Sequence, residues 1–126
     1  MKFPCLPMLL AAVAALLPGH LAALTATSLF PANNATNVCV DTPLKITFGN
    51  APVVGTSGSV RIYSSAGTVV ETLDLAVSHT RTIGDTLYTA LPVLVTGNTA
   101  SIFPRSSALA YNTTYYVTID ATVFPG

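Results

Sequence analysis

Apolar residues in this chain recur at every second position, in short runs, and turn-forming residues interrupt those runs at close intervals. Val38, Val40, Leu44, Ile46 and Phe48 take even positions, with Asp41, Lys45 and Thr47 between them. Val60 and Ile62 alternate with Ser59, Arg61 and Tyr63; Val69, Leu73 and Leu75 share a phase after the Ser64–Gly67 turn; Leu91, Val93 and Val95 do the same before Gly97-Asn98. Ala100–Phe103 follows, closed by Pro104, and Tyr115, Val117 and Ile119 form the last alternation. A period of two places alternate side chains on opposite faces of a strand, so each run has one buried and one wet face. No stretch carries helical periodicity over a useful length. Pro31–Asn34, Gly49-Asn50, Gly55–Gly58, Gly84-Asp85 and Asn112 supply the remaining turns. Six to seven short strands at this spacing predict an all-β fold, an antiparallel sandwich. The clearest hairpin joins Leu91–Val95 to Ala100–Phe103, because Gly97 and Asn98 tolerate positive φ.

Residues 1–26 do not fit that pattern. Met1-Lys2 is followed by an uncharged segment whose core, Leu9–Leu17, is continuously apolar; Pro18-Gly19 then breaks it, and the small residues Ala22, Ala23 and Ala26 follow. That is the layout of a secretory signal peptide, helical in its apolar part. Cleavage fits after Ala23 or Ala26, and Ala26 is favoured, which makes residues 27–126 the mature domain. A retained membrane anchor is the competing reading, but a span needs about 20 apolar residues and prolines interrupt this segment. The chain is therefore expected to be secreted, with no membrane contact after cleavage. Cys5 leaves with the signal, so Cys39 has no intrachain partner and the core alone must hold the domain. Cys39 lies between Val38 and Val40, which favours a buried inert thiol over a reactive or intermolecular one. Five basic residues over the chain cannot build a nucleic-acid face.

One local pattern narrows the sandwich. In Leu109–Ile119 a leucine stands six residues before Tyr115, which opens an alternating strand. This suits a tyrosine corner, in which the hydroxyl turns back onto the preceding loop and pins the crossover between sheets of an Ig-like fold. The same residues carry a family resemblance. Leu29–Phe48 (with Pro31, Ala35 and Val38), Gly58–Leu73 and Leu109–Asp120 resemble the bacterial Ig-like domain of the S-layer (SbsA) type. A narrower resemblance rests on Pro92-Val93, Gly97-Asn98, Ala100, Ile102, Pro104 and Ala108-Leu109-Ala110-Tyr111. These residues are similar to the Ig-like region preceding the catalytic domain of secreted microbial pectinesterases. The resemblance implies a non-catalytic accessory module at the N-terminal end of an enzyme that modifies cell-wall polysaccharide. Its partner would be a downstream catalytic domain. In that family the Ig-like domain continues with a further strand and then a long parallel β-helix, so the chain is expected to be truncated at its C-terminus. The Tyr115–Ile119 strand would then be an open edge prone to self-association. The alternative is a structural or adhesive surface module, with further Ig-like copies downstream.

Catalytic signals are few. The mature part has a single histidine, His79, and its neighbour Ser78 points to the opposite face of any strand they share, so a nucleophilic triad is not expected. One histidine and one cysteine cannot hold zinc, and Asp41, Asp74, Asp85 and Asp120 stand singly, unlike a calcium loop. No cofactor is implied. Tyr63 and Tyr116 lie out of phase with their strands' apolar faces and should be exposed, which makes them the candidate contacts for a cell-wall polysaccharide. Asn34-Ala35-Thr36 and Asn112-Thr113-Thr114 read as glycosylation sequons in a eukaryotic secretory pathway.

Overall fold

The computed structural model describes residues 24–77, 79–83 and 85–126. It is an Ig-like sandwich of antiparallel sheets. Among the described residues nine strands run in chain order: β1 Ala26–Phe30, β2 Leu44–Phe48, β3 Ser59–Ser64, β4 Val69–Asp74, β5 His79–Ile83, β6 Thr86–Ala90, β7 Val93–Thr96, β8 Thr99–Ile102 and β9 Tyr115–Ile119. One sheet has the order β1-β2-β8-β7 and the second β4-β3-β9, while β5 and β6 form a separate ribbon. The non-sequential order arises because the chain crosses between layers after β2, after β4 and again after β8.

Each layer gives alternate residues to one core. Leu44, Ile46 and Phe48 of β2 and Ala100 and Ile102 of β8 meet Val60 and Ile62 of β3 and Tyr115 and Val117 of β9. Burying each Val, Leu or Ile contributes about 1.5–3 kcal/mol, so this layer dominates the stabilisation. The chain after β9 folds back over the end of the sandwich. Val123, in a short 3-10 turn (Ala121–Val123), is fully buried. Its carbonyl accepts the Gly55 N–H at 2.9 Å, and Phe124 meets Phe48 edge-on with ring centroids 5.3 Å apart. Gly58, at φ 92°, lies under this turn; a side chain there would collide with the Thr122 hydroxyl.

The expected hairpin is present as β7–β8, with Gly97 at φ 58° in its turn. Several expectations need correction. The strand read from Val38 begins only at Leu44, because Val38–Pro43 runs as turns, with Thr42 N–H donating to the Cys39 carbonyl at 3.1 Å. Cys39 is accordingly exposed and free, not buried. Val69 does not share the core face of Leu73: a register shift opposite Ile62 and Tyr63 leaves it 46% exposed. Among the described residues the two sheets of the sandwich hold seven strands, within the expected number, and the β5–β6 ribbon, whose sequences HTRTI and TLYTA lack a clean apolar face, forms in addition.

The core also draws on residues ahead of 27. Leu24 packs partly buried against the core, and the Thr25 carbonyl accepts the Gly49 N–H at 3.0 Å. Of the segment read as a signal peptide, residues 1–26, the part up to residue 23 lies outside the described residues.

Candidate functional site

The crossover from β8 to β9 concentrates the polar contacts that position the second sheet. A 3-10 turn at Ser106–Ala108 leads to Leu109, which is half-buried against the core. Asn112, at φ 55°, then reverses the chain, a conformation asparagine tolerates better than most residues. Tyr115 opens β9 with its ring buried, and its hydroxyl oxygen accepts the Ala110 N–H at 2.7 Å. One side chain thus fills the core and pins the loop that precedes it. Asn34, the other sequon asparagine, also adopts a left-handed backbone, at φ 60°, so turn geometry is reason enough for both residues.

A second clamp holds the same crossover from the far side. Glu71 of β4 points inward, with its side chain fully buried. It accepts the Arg105 N–H at 2.9 Å and Arg105 Nε at 2.6 Å. Both carboxylate oxygens are therefore satisfied, which is the condition for burying a charge. Sequence reasoning missed Glu71, although the signal was there: it lies in phase with Leu73, so a carboxylate on a core face required a partner.

On the outer face of β4-β3-β9, Tyr63 and Tyr116 stand opposite each other. Their rings stack with centroids 4.9 Å apart and planes 4° from parallel. Both are half-buried rather than exposed, since each covers one face of the other. Two steps along, Arg61 Nη1 donates to Asp120 Oδ1 at 2.7 Å, and Ser59 N–H donates to Asp120 Oδ2 at 2.9 Å. The Arg61 hydrogen bond, helped by the Ser59 N–H, outweighs burial and holds the Asp120 carboxyl below the ordinary aspartate range. The same hydrogen bond raises the Arg61 guanidinium.

A shallow, open apolar groove lies at one end of the sandwich, bordered by Val38, Cys39, Val40, Leu109 and Tyr115. Among the described residues no three His, Cys, Asp or Glu side chains gather as a metal site would require. Of the four aspartates, Asp74 accepts the Ala76 N–H at 2.9 Å and Asp120 is engaged as above, while Asp41 and Asp85 are exposed. Ser78 and the side chain of His79 lie outside the described residues.

A family model described as a bacterial Ig-like domain matches residues 21–124. No curated protein and no solved structure gives a significant match.

Replacing Tyr115 by Phe removes the acceptor of the Ala110 N–H and keeps the buried ring. The expected loss is about 1 kcal/mol in denaturant unfolding with the fold retained; an unchanged midpoint would show that the hydroxyl pins nothing. Because Asp120 has its folded value depressed, its contribution is present above the unfolded aspartate value and lost as pH falls through the folded one. Stability should therefore decline as pH drops below about 4. The Asp120→Asn variant should be less stable at neutral pH and show a shallower acid decline, measured by thermal melts across pH.

Proposed function

The chain belongs to the bacterial Ig-like domain family, and we propose that it is a non-catalytic accessory module of a secreted enzyme of pectinesterase type that modifies cell-wall polysaccharide. Bacterial Ig-like domains are typically non-catalytic and extracellular or surface-associated. No helix among the described residues is long and apolar enough to cross a membrane. The family match over residues 21–124 carries the module reading. The enzyme context rests on the Pro92–Pro104 segment and the Ala108–Tyr111 crossover, which form the β7–β8 hairpin and the pinned loop ahead of Tyr115.

In this reading the module spaces and presents a catalytic domain. The Tyr63–Tyr116 pair offers polysaccharide the outer faces of its stacked rings, beside the Arg61–Asp120 ion pair. Recognition there would be weak, because each ring already spends one face on the other.

In this reading signal cleavage falls after Ala23, the less favoured of the two expected positions, and not after Ala26. Cutting after Ala26 would remove Leu24 from the core, the Thr25 acceptor of the Gly49 N–H and the first residue of β1. Mass spectrometry of the secreted product should find Leu24 at the mature N-terminus; Thr27 would contradict this placement. Sequencing the coding region onward from Gly126 should reveal a reading frame for a parallel β-helix. Its product should release methanol from methyl-esterified pectin, whereas the present chain should release none. Further Ig-like repeats in place of that frame would favour a structural or adhesive surface protein, and turnover by the present chain would overturn the non-catalytic reading.

A further inference from the structure

A bulge adds a residue to one strand of a pair and re-aims the side chains beyond it. In β4 the pairing with β3 shifts between Ile62 and Tyr63: Ile62 stands opposite Glu71 and Tyr63 opposite Val69, with Val70 as the extra residue. Val70 packs partly buried against the core, while Val69 is 46% exposed. The shift thus sets an apolar side chain on the outer face of the sheet, on the strand next to Tyr63.

Two rows cross that face. Val69, Tyr63 and Tyr116 make the first, with one residue from each strand. Neighbouring strands lie about 4.8 Å apart, so this apolar row is about 10 Å long. Thr72, Arg61 and Thr118 make the second, beside the first, and Asp120 is hydrogen-bonded to its Arg61 at 2.7 Å. Every side chain of the second row donates or accepts hydrogen bonds. Thr72 is exposed, and Arg61 and Thr118 are half-buried. The rows stand on the face of the sheet and not along its edge, so a strand beside β9 leaves them in place.

An apolar row next to a row of hydroxyls and charges matches a pyranose ring, whose C–H face is apolar and whose rim carries hydroxyls. The C–H face gains by leaving water against aromatic and aliphatic surface. Val69 widens the apolar surface that the Tyr63–Tyr116 stack leaves to it. Charge then selects among such chains. Among the described residues this face holds one cation, Arg61, against two carboxylates, Asp120 and Asp74. The Asp120 hydrogen bond raises the Arg61 guanidinium, and the Asp74 charge adds to the rise. The surplus is negative, and like charges brought together are a means of rejecting a wrong partner. We propose that the two rows form a binding site for an uncharged pyranose polysaccharide lying across the strands, and that the site rejects an acidic chain of the same backbone. Val69, Tyr63 and Tyr116 take the apolar ring faces, and Thr72, Arg61 and Thr118 take the hydroxyls. The proposal rests on the reading of the tyrosine pair as a polysaccharide contact, and adds the direction of the chain and the charge it must lack.

Amide NMR of the purified chain, titrated with a galacturonan oligomer that is methyl-esterified in one series and saponified in the other, tests the site. The two oligomers share a backbone and differ in charge. The esterified form should move the amides of Val69, Tyr63, Tyr116, Thr72 and Thr118 together. The saponified form should bind about tenfold more weakly at low salt, with the gap narrowing as salt screens the carboxylates. Asp74→Asn removes one charge and keeps an acceptor for the Ala76 N–H, and should narrow the gap about threefold. Val69→Ser should weaken the esterified oligomer about threefold without moving the melting temperature. Equal or tighter binding of the saponified oligomer would overturn the proposal. So would shifts confined to another surface, or no shift with either oligomer. A β-helix reading frame beyond Gly126 without these shifts would remove the site and leave the enzyme context standing. The shifts without that frame would do the reverse.

Discussion

The two sheets are joined by a single apolar layer to which both contribute in alternation. Among the described residues no covalent link supplements it, since Cys39 is free and exposed. For a sandwich of about 100 residues, burial of this kind is sufficient for independent stability. The alternation must hold on β2, β8, β3 and β9 at once, because a slip of one residue on any of them would turn its apolar set to water. The fully buried residues Ile46, Ile62, Ile102 and Val117 lie on these four strands.

Apolar burial specifies the layers but not the path between them. That path is set by polar contacts at the crossover, where Tyr115 holds Ala110 from inside the core and Glu71 holds Arg105 from the neighbouring strand. Both clamps place the polar end of a buried side chain against loop backbone, so the loop is tied to the core it spans. The long connection from β8 to β9 is thereby kept in one arrangement, and β9 reaches β3 in a fixed register. The module's outer face follows from that register, since it sets Tyr116 opposite Tyr63 and Asp120 beside Arg61.

Much of this was legible in the residues. The alternation in Tyr115–Ile119 and the Gly97-Asn98 turn mark β9 and the β7–β8 hairpin, because strand period and positive φ are local properties. What depends on partners was less legible. Val38 and Val40 alternate like a strand, yet among the described residues no neighbouring strand takes up their backbone, and the segment turns and leaves Cys39 in solvent. The β5–β6 ribbon carries no apolar period and is visible only as a pairing. Tyr63 and Tyr116 read as exposed on phase alone; their mutual cover requires knowing that β3 and β9 are neighbours. Glu71 is the same lesson in reverse, a charge on a core face whose partner lies 34 residues away.

If one shared apolar layer holds the fold together, neither sheet can persist without the other. Native-state amide exchange in low denaturant measures this directly by comparing opening free energies at Ile46 in β2 and Ile62 in β3. The two should agree with each other and with the global unfolding free energy, so that both sheets are lost in one cooperative step. A distinctly lower value for one sheet, with the other still protected, would mean that the layers are separately stable and that the shared core is not what unites them.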